Sequence, residues 1–193
     1  SAIIVAAGKS TRTSGAVPKQ LVPIKGIPVV VRTMLAFEKC ALISEIIVVA
    51  AKDQLKEYEN FKRQYNITKL SAVTAGGNTR SDSVLAGFGA VSPKCEFVAI
   101  HDGARCLIKS EDIEKVIKSA FRYGSAIAAS KSTDTLKKVD ENGIISETVN
   151  RDTVMRAQTP QVFMKDIYEI AISSKTKPSS PTDDSMLVES VGF

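Results

Sequence analysis

The chain has 193 residues, of which 44% are apolar and 24% charged, the balance of a globular protein built around one sizeable core, so a single domain over residues 1–193 is expected. Its formal net charge is +5, but the cations are dispersed among Asp and Glu and there is no Trp, which suits a small polyanion better than a nucleic-acid partner. No apolar run approaches the ~20 residues that cross a bilayer, no secretory signal is visible, and Cys40, Cys95 and Cys106 lack metal-ligand spacing with the single His101, so the thiols read as the reduced cysteines of a cytoplasmic protein.

In chain order, the spacing predicts strands alternating with helices. Ala2–Ala6 is an apolar run expected to form a parallel strand covered on both faces. It runs into a loop of small residues that carries two fixed cations, Arg12 and Lys19. Pro28 stands where a helix begins, and Val29–Cys40 has helical spacing. Glu45–Ala50 reads as a second buried strand, Asp53–Arg63 as a polar amphipathic helix and Leu70–Thr74 as a short strand. Ala75-Gly76-Gly77-Asn78 is a turn into a helix over Thr79–Ala90, and Glu96–Ile100 is a strand that ends at His101-Asp102-Gly103. Ser110 is expected to cap a helix running to about Tyr123, without a capping box because Ile113 stands where an acid is needed. Ala126–Ala129 is a further strand. This order predicts an α/β fold, a Rossmann-like twisted and mostly parallel sheet flanked by helices.

One stretch breaks the rhythm. Thr135–Val139 and Ile144–Val149 flank Asp140-Glu141-Asn142-Gly143, a strong hairpin signal. A lone polar hairpin is marginal in water, so an arm over about residues 133–150 is expected to project and lean on a second subunit as a dimerisation arm. Lys175–Pro181 reads as a loop, and Thr182-Asp183-Asp184 as the opening of a last helix.

The first loop carries the chemistry. Small side chains at Ala6, Ala7 and Gly8 let a ligand approach the main chain, whose N–H groups bind phosphate oxygens, and Arg12 and Lys19 add charge where a triphosphate would lie. Gly8-Lys9-Ser10-Thr11 imitates the end of a Walker A loop, but the earlier glycine would fall on Ile3 inside the strand, so that reading fails on spacing. No G-x-G-x-x-G is present to support a dinucleotide site.

Ala6-Ala7-Gly8 through Arg12, then Pro18-Lys19-Gln20, resembles the signature of sugar-phosphate nucleotidyltransferases. Gly76-Gly77-Asn78-Thr79-Arg80-Ser81-Asp82-Ser83-Val84, His101-Asp102-Gly103-Ala104-Arg105, Asp134-Thr135-Leu136-Lys137, Arg151, Gln158-Thr159-Pro160-Gln161 and Thr182-Asp183-Asp184 narrow the resemblance to the 2-C-methyl-D-erythritol 4-phosphate cytidylyltransferase family. It spans nearly the whole chain and rests on the order and spacing of the motifs together.

The resemblance implies transfer of CMP from CTP to methylerythritol phosphate with release of pyrophosphate, in non-mevalonate isoprenoid synthesis. Arg12 and Lys19 match the cations that hold the triphosphate, and Ala6, Ala7 and Gly8 the loop beneath it. Gly77, Asn78 and Ser83 match positions around the cytosine, on a helix N-terminus that also favours anions. Mg²⁺ is the implied cation, since phosphate and carboxylate oxygens suit it. Asp102, beside Gly103 at a strand's carboxyl edge, is the candidate to orient that metal or the substrate hydroxyls. Arg105, Thr135, Arg151, Thr159 and Thr182 match the alcohol-phosphate side, partly through a partner's arm, so the implied state is a homodimer. His101 reads either as a strand-end residue or as a direct contact, and Arg105 either as a phosphate contact or as the partner of an acidic neighbour.

Two departures stand out. Cys106 replaces the proline common after Ala-Arg, and the family usually continues past Val191-Gly192-Phe193 into a strand and an Asn-Ile-Lys segment that this sequence does not contain. The nearest rival is ribitol 5-phosphate cytidylyltransferase, disfavoured by Ala6-Ala7-Gly8 and Ser81-Asp82-Ser83-Val84. A basic nucleic-acid-binding module does not account for motifs clustered at strand ends, and a nucleotide-sugar glycosyltransferase usually needs an Asp-x-Asp-like pair that His101-Asp102-Gly103 lacks.

Overall fold

The computed structural model describes residues 1–8, 17–176, 178 and 181–193. Its elements are β1 (Ala2–Val5), β2 (Pro23–Ile24), β3 (Ile27–Pro28), α1 (Val29–Lys39), β4 (Ile46–Ala50), α2 (Leu55–Gln64), β5 (Leu70–Ala75), α3 (Arg80–Phe88), β6 (Phe97–Asp102), α4 (Ser110–Tyr123), β7 (Ser125–Lys131), β8 (Leu136–Val139), β9 (Ile145–Val149), β10 (Met155–Met164), α5 (Lys165–Ser173) and α6 (Asp184–Glu189). Among the described residues the central sheet has six strands in the order β5-β4-β1-β6-β10-β7. β5, β4, β1 and β6 pair in parallel, and β10 runs antiparallel between β6 and β7. The expected α/β class with a mostly parallel sheet is the one observed.

Period-two alternation divides the core between the two faces. Ala2, Ile4, Ile46 and Val48 face α1, α2 and α4, where Met34, Phe37, Tyr58, Phe61, Ile113 and Ile117 cover them. Ile3, Val49, Val98 and Ile100 face the opposite way, under Val84 of α3, Tyr168 and Ala171 of α5 and Leu187 of α6. Each fully buried large side chain contributes roughly 1.5–3 kcal/mol of transfer free energy, so both layers are needed to hold the sheet.

Side chains cap α3 and α6, whereas α1, α2, α4 and α5 start without a side-chain cap bond. Thr79 caps α3, its hydroxyl accepting from the Asp82 N–H while the Asp82 carboxylate accepts from the Thr79 N–H, which completes a capping box. Asp183 caps α6 by accepting from the Met186 N–H. Ser110, expected as a cap, is instead the first residue of α4, and Lys109 occupies the cap position with no side-chain bond. Glu111 and Asp112 in that first turn supply the negative charge that the helix end favours.

Two elements of the main body were not legible in the sequence: β10 and α5. β10 opens on Met155-Arg156-Ala157-Gln158-Thr159-Pro160, a polar run that ends in a proline, which argues against a central strand. The strand accommodates it through a break in register between Ala157 and Gln161 on the β7 side. A small hairpin, β2–β3, also escaped notice; its turn is Lys25-Gly26, both at positive φ, as two-residue hairpin turns require. β8 and β9 form the expected hairpin, a two-stranded sheet of their own in which Val139, Ile144 and Ile145 are all exposed.

Gly87 sets the approach of α3 to the sheet. A Cβ there would stand 2.6 Å from Ile3 Cγ2 and 2.7 Å from Val49 Cγ2. Glycine to alanine in a helix interior ordinarily gains up to about 1 kcal/mol, whereas overpacking a core costs about 1–3 kcal/mol. Gly87→Ala is therefore expected to destabilise the protein by roughly 1–2 kcal/mol, read as a lower urea midpoint at unchanged m value.

Candidate functional site

β1, β5 and β6 point their carboxyl ends to the same edge of the sheet, and the turns that follow them meet there. The ladder carries one residue into each turn: Ala6 N–H donates to Val49 O (2.7 Å), Gly76 N–H to Ala50 O (2.8 Å) and Gly103 N–H to Val5 O (2.8 Å). The turns interlock because side chains are missing. A Cβ on Gly76 would lie 2.3 Å from Ala7 Cβ and 2.8 Å from Ser83 Oγ, and one on Gly103 would lie 3.1 Å from both Ala6 Cβ and Val5 O.

The three turns, with Ala157–Thr159 and Gln161 of β10 and the Thr182-Asp183 segment, line an open cavity of about 880 Å³. Of the residues expected at the site, Ala7, Gly8, Lys19, Gly77, Asn78, Ser83, Asp102, Gly103, Arg105, Thr159 and Thr182 all line it. Ala6 is buried behind the wall rather than in it. Thr135 and Arg151 do not line this chain's cavity: Thr135 precedes β8, and Arg151, in a short 3-10 turn after β9, donates from Nη1 to the Thr133 carbonyl (2.8 Å) at the base of the hairpin. Arg12 lies outside the described residues.

Gln20 fastens the first loop. It is buried, and its Nε2 donates to both the Ala6 and Gly8 carbonyls at 2.9 Å. Half-buried Lys19 is thereby carried to the cavity wall. In the glycine turn the Ser83 hydroxyl donates to the Thr79 carbonyl (2.9 Å) and accepts from the Gly77 N–H (3.2 Å), so Ser83 shapes the turn that presents Gly77 and Asn78.

Charge at the site is ordered around Asp102. Its Oδ2 accepts from Arg105 Nε at 2.9 Å and its Oδ1 from Arg80 Nε at 3.4 Å. Burial alone would raise the Asp102 carboxyl, but the Arg105 hydrogen bond and the two guanidinium charges outweigh it and hold the group below the usual carboxylate range. Both readings left open for Arg105 are compatible here: it pairs with an acidic neighbour and stands on the cavity wall. Arg80 reaches on to the buried Asp184 (Nη1 to Oδ2, 2.6 Å), which also accepts from the Tyr168 hydroxyl (2.8 Å). Burial opposes the charge on Arg80, yet Asp184 and Asp102 raise its pKa on balance.

His101 is fully buried and outside the cavity lining. Its Nδ1 lies 2.9 Å from Thr159 Oγ1 and its Nε2 3.3 Å from the Arg105 carbonyl. Burial pushes its pKa down to about 4, so the ring is neutral near pH 7.

The clamp of Gln20, the close approach of Gly76 and the Arg80–Asp184–Tyr168 chain were missed from sequence. Gln161 was too: its Oε1 accepts from the N–H groups of Asp184 and Ser185, and its Nε2 donates to Asp183, which docks the start of α6 on β10. The only available signal was the presence of Gln20, Gln161 and Asp184 in the motifs themselves.

A family model described as 2-C-methyl-D-erythritol 4-phosphate cytidylyltransferase matches residues 1–193. The chain belongs to that family. A protein of that name from Syntrophus aciditrophicus is 39% identical over 194 residues, covering 100% of this chain and 83% of its own length. Another, from Caldanaerobacter subterraneus, is 40% identical over 199 residues, covering 100% of this chain and 86% of its own. The solved structure of 4-diphosphocytidyl-2C-methyl-D-erythritol synthase from Anaerococcus prevotii superposes with a TM-score of 0.82 at 31% identity, over 97% of this chain and 80% of that one. That of the 2-C-methyl-D-erythritol 4-phosphate cytidylyltransferase from Thermus thermophilus gives 0.76 at 26% identity, over 100% and 84%. Membership of the methylerythritol phosphate cytidylyltransferase family displaces the ribitol phosphate, glycosyltransferase and nucleic-acid readings.

The Gln20 clamp has a measurable consequence. Gln20→Met keeps the length of the side chain but leaves the Ala6 and Gly8 carbonyls without this donor, and a buried group so stranded costs about 1–3 kcal/mol. Thermal unfolding is expected to show that loss, with faster amide exchange at Gly8.

Proposed function

We propose that the cavity binds CTP and 2-C-methyl-D-erythritol 4-phosphate and transfers the cytidylyl group between them, releasing pyrophosphate. The observation that carries this reading is the meeting, in one cavity, of motif residues from five separate parts of the chain: Lys19, Gly77 with Asn78, Asp102 with Arg105, Thr159, and Thr182.

The reaction joins two anions. A phosphate oxygen of the alcohol phosphate attacks the α-phosphorus in line, a P–O bond forms, and the bond to the bridging oxygen breaks as pyrophosphate leaves with the electron pair. The attacking oxygen is already ionised, so no proton has to be removed first. What the protein supplies is positioning and positive charge. Arg12 and Lys19 hold the triphosphate and oppose the charge that grows on the leaving group. The main chain of Ala6, Ala7 and Gly8 follows the phosphates, and Gly77, Asn78 and Ser83 form the cytosine pocket. Asp102 and Gly103 take the sugar side, while Arg105 and Thr182 take the alcohol phosphate and Thr159, whose one hydroxyl proton goes to His101 Nδ1, lines the wall beside them.

Asp102 fits a nucleotide-borne divalent cation: it is anionic, cavity-facing and one-third exposed at its side chain, and each oxygen bonded to a guanidinium keeps a further lone pair. Mg²⁺ in such sites is held by one or two carboxylates together with substrate phosphates rather than by an all-protein cage. When bound, that ion neutralises phosphate charge, and Asp102 is the protein group that would hold it.

The β8–β9 arm serves a homodimer. Its apolar side chains Val139, Ile144 and Ile145 are exposed, and Thr135 and Arg151 stand outside this chain's own cavity, as expected of residues that complete a partner's. The cysteines carry no disulfide, which suits a reducing cytoplasm.

Lys19→Ala and Arg12→Ala are each expected to lower kcat by roughly 10²–10³, the loss seen when one preorganised charge-stabilising group is removed. Pyrophosphate release with CTP and methylerythritol phosphate is the assay, and unchanged urea unfolding the control. Near-normal kcat in both variants, or no transfer by the wild-type chain, defeats the reading. Deleting Asp140–Gly143 is expected to shift sedimentation from dimer to monomer, and an unchanged profile would refute the role of the arm.

A further inference from the structure

The turn after β6 presents Asp102 and Arg105 to the cavity, and side chains hold it from behind. Thr33, buried on α1, donates to the Gly103 carbonyl at 2.9 Å. His101 holds the rest through a circuit whose proton positions follow from its partners. The Arg105 carbonyl can only accept, so His101 Nε2 carries the proton directed at it (3.3 Å). Nδ1 is then the acceptor, and the Thr159 hydroxyl donates to it (2.9 Å). Thr159 Oγ1 in turn accepts from the Asp102 N–H (3.2 Å). The circuit leaves residue 102, crosses to β10, passes through the ring and returns to residue 105, with every donor and acceptor in it satisfied. The ring packs against Phe37, with centroids 5.0 Å apart and planes inclined at 54°.

We infer that His101 is a positioning residue for cytidylyl transfer: through Thr159 and the Arg105 main chain it fixes the turn that aims Asp102 and Arg105 into the cavity, without itself touching substrate. This rests on the reading of the cavity given above. A loosened circuit frees the Arg105 main chain and the Thr159 hydroxyl together, and both belong to the alcohol-phosphate side. Asp102 stays tied to Arg80, and Gly103 to Thr33 and the Val5 carbonyl, so the damage falls mainly on that substrate and less on CTP, and small displacements of a positioned group are costly to rate.

The test uses three variants of the whole chain. His101→Phe keeps a ring against Phe37 and removes both hydrogen bonds. His101→Gln keeps a donor for the Arg105 carbonyl, and His101→Asn keeps an acceptor for Thr159. His101→Phe is expected to raise the KM for methylerythritol phosphate about tenfold or more and to lower kcat, with CTP affinity by calorimetry changed less than about threefold. His101→Gln is expected to recover more of the loss than His101→Asn. A purely structural role would lower Tm and leave the constants of the folded fraction at wild-type values, which would overturn the inference. If His101→Phe fails to fold, wild-type constants in both amide variants would overturn it equally. The chain has a single histidine, so ring nitrogen NMR reads it without assignment. A neutral ring protonated on Nε2 is expected, and protonation on Nδ1 alone would break the circuit and the inference with it. Transfer by the wild-type chain with unaltered His101→Phe constants defeats this role alone. No transfer by the wild-type chain defeats the reading of the cavity, and this role with it.

Discussion

The site depends on how closely three main-chain turns approach one another at the carboxyl edge of the sheet. The Gly76 Cα faces Ala7 where no side chain would fit, and Gly103 is packed against Ala6 and the Val5 carbonyl. That contact is a consequence of register. Val5 lies opposite Asp102 in β6 and opposite Val49 in β4, and Ala50 lies opposite Ala75, so all the strands end at the same height. A slip of one residue would turn every core side chain to the other face, and the two-sided core forbids it. The wall that results is main chain, with N–H groups and small side chains where a polyanion can come close.

A carboxylate among the cations of the cavity wall needs a physical reason. Asp102 holds two guanidiniums in place, and Arg80 passes the constraint on to Asp184, which is 2% exposed and tied to Tyr168. Removing one partner of so buried a pair would strand the other charge, so the network works as a unit. It joins α3 and β6 from the middle of the chain to α5 and α6 near its end. Gln161 adds the last link by fixing the start of α6 to β10. Arg80 and Arg105 are thus held in fixed directions on the cavity wall.

What was legible in the sequence, and what was not, follows from where the signal is stored. Ala2–Val5 and Ile46–Ala50 are buried on both faces, and an unbroken apolar run announces that. The motif residues were legible as a set, and most of them meet in the cavity. β10 was hidden because its edge-like opening, polar and closed by Pro160, contradicts its central place, which only the register break explains. Ser110 resembled a cap but stands one residue inside the helix, where sequence reasoning is least reliable. His101 was legible as a strand-end residue, but its partners and those of Gln20 were not: a buried amide or imidazole is defined by its partners, and Gly8, Thr159 and Arg105 become neighbours only after folding.

Four groups in and behind the cavity wall, Asp102, Arg80, His101 and Tyr168, share a pattern that matches the chemistry. Guanidinium neighbours lower Asp102 against the effect of burial, Asp184 and Asp102 raise Arg80, burial drives His101 down to about 4, and burial raises Tyr168. Each of these pKa values is moved away from pH 7 rather than toward it. A site that relays protons does the opposite, tuning an acid or base toward the working pH. In-line attack by an ionised phosphate on a phosphorus atom requires no such relay; it requires charges that stay fixed while the negative charge moves past them. The buried histidine and tyrosine are therefore used as neutral hydrogen-bonding parts of a scaffold, and the aspartate and arginine as permanent charges, so the same burial that builds the core also sets the electrostatics of the site.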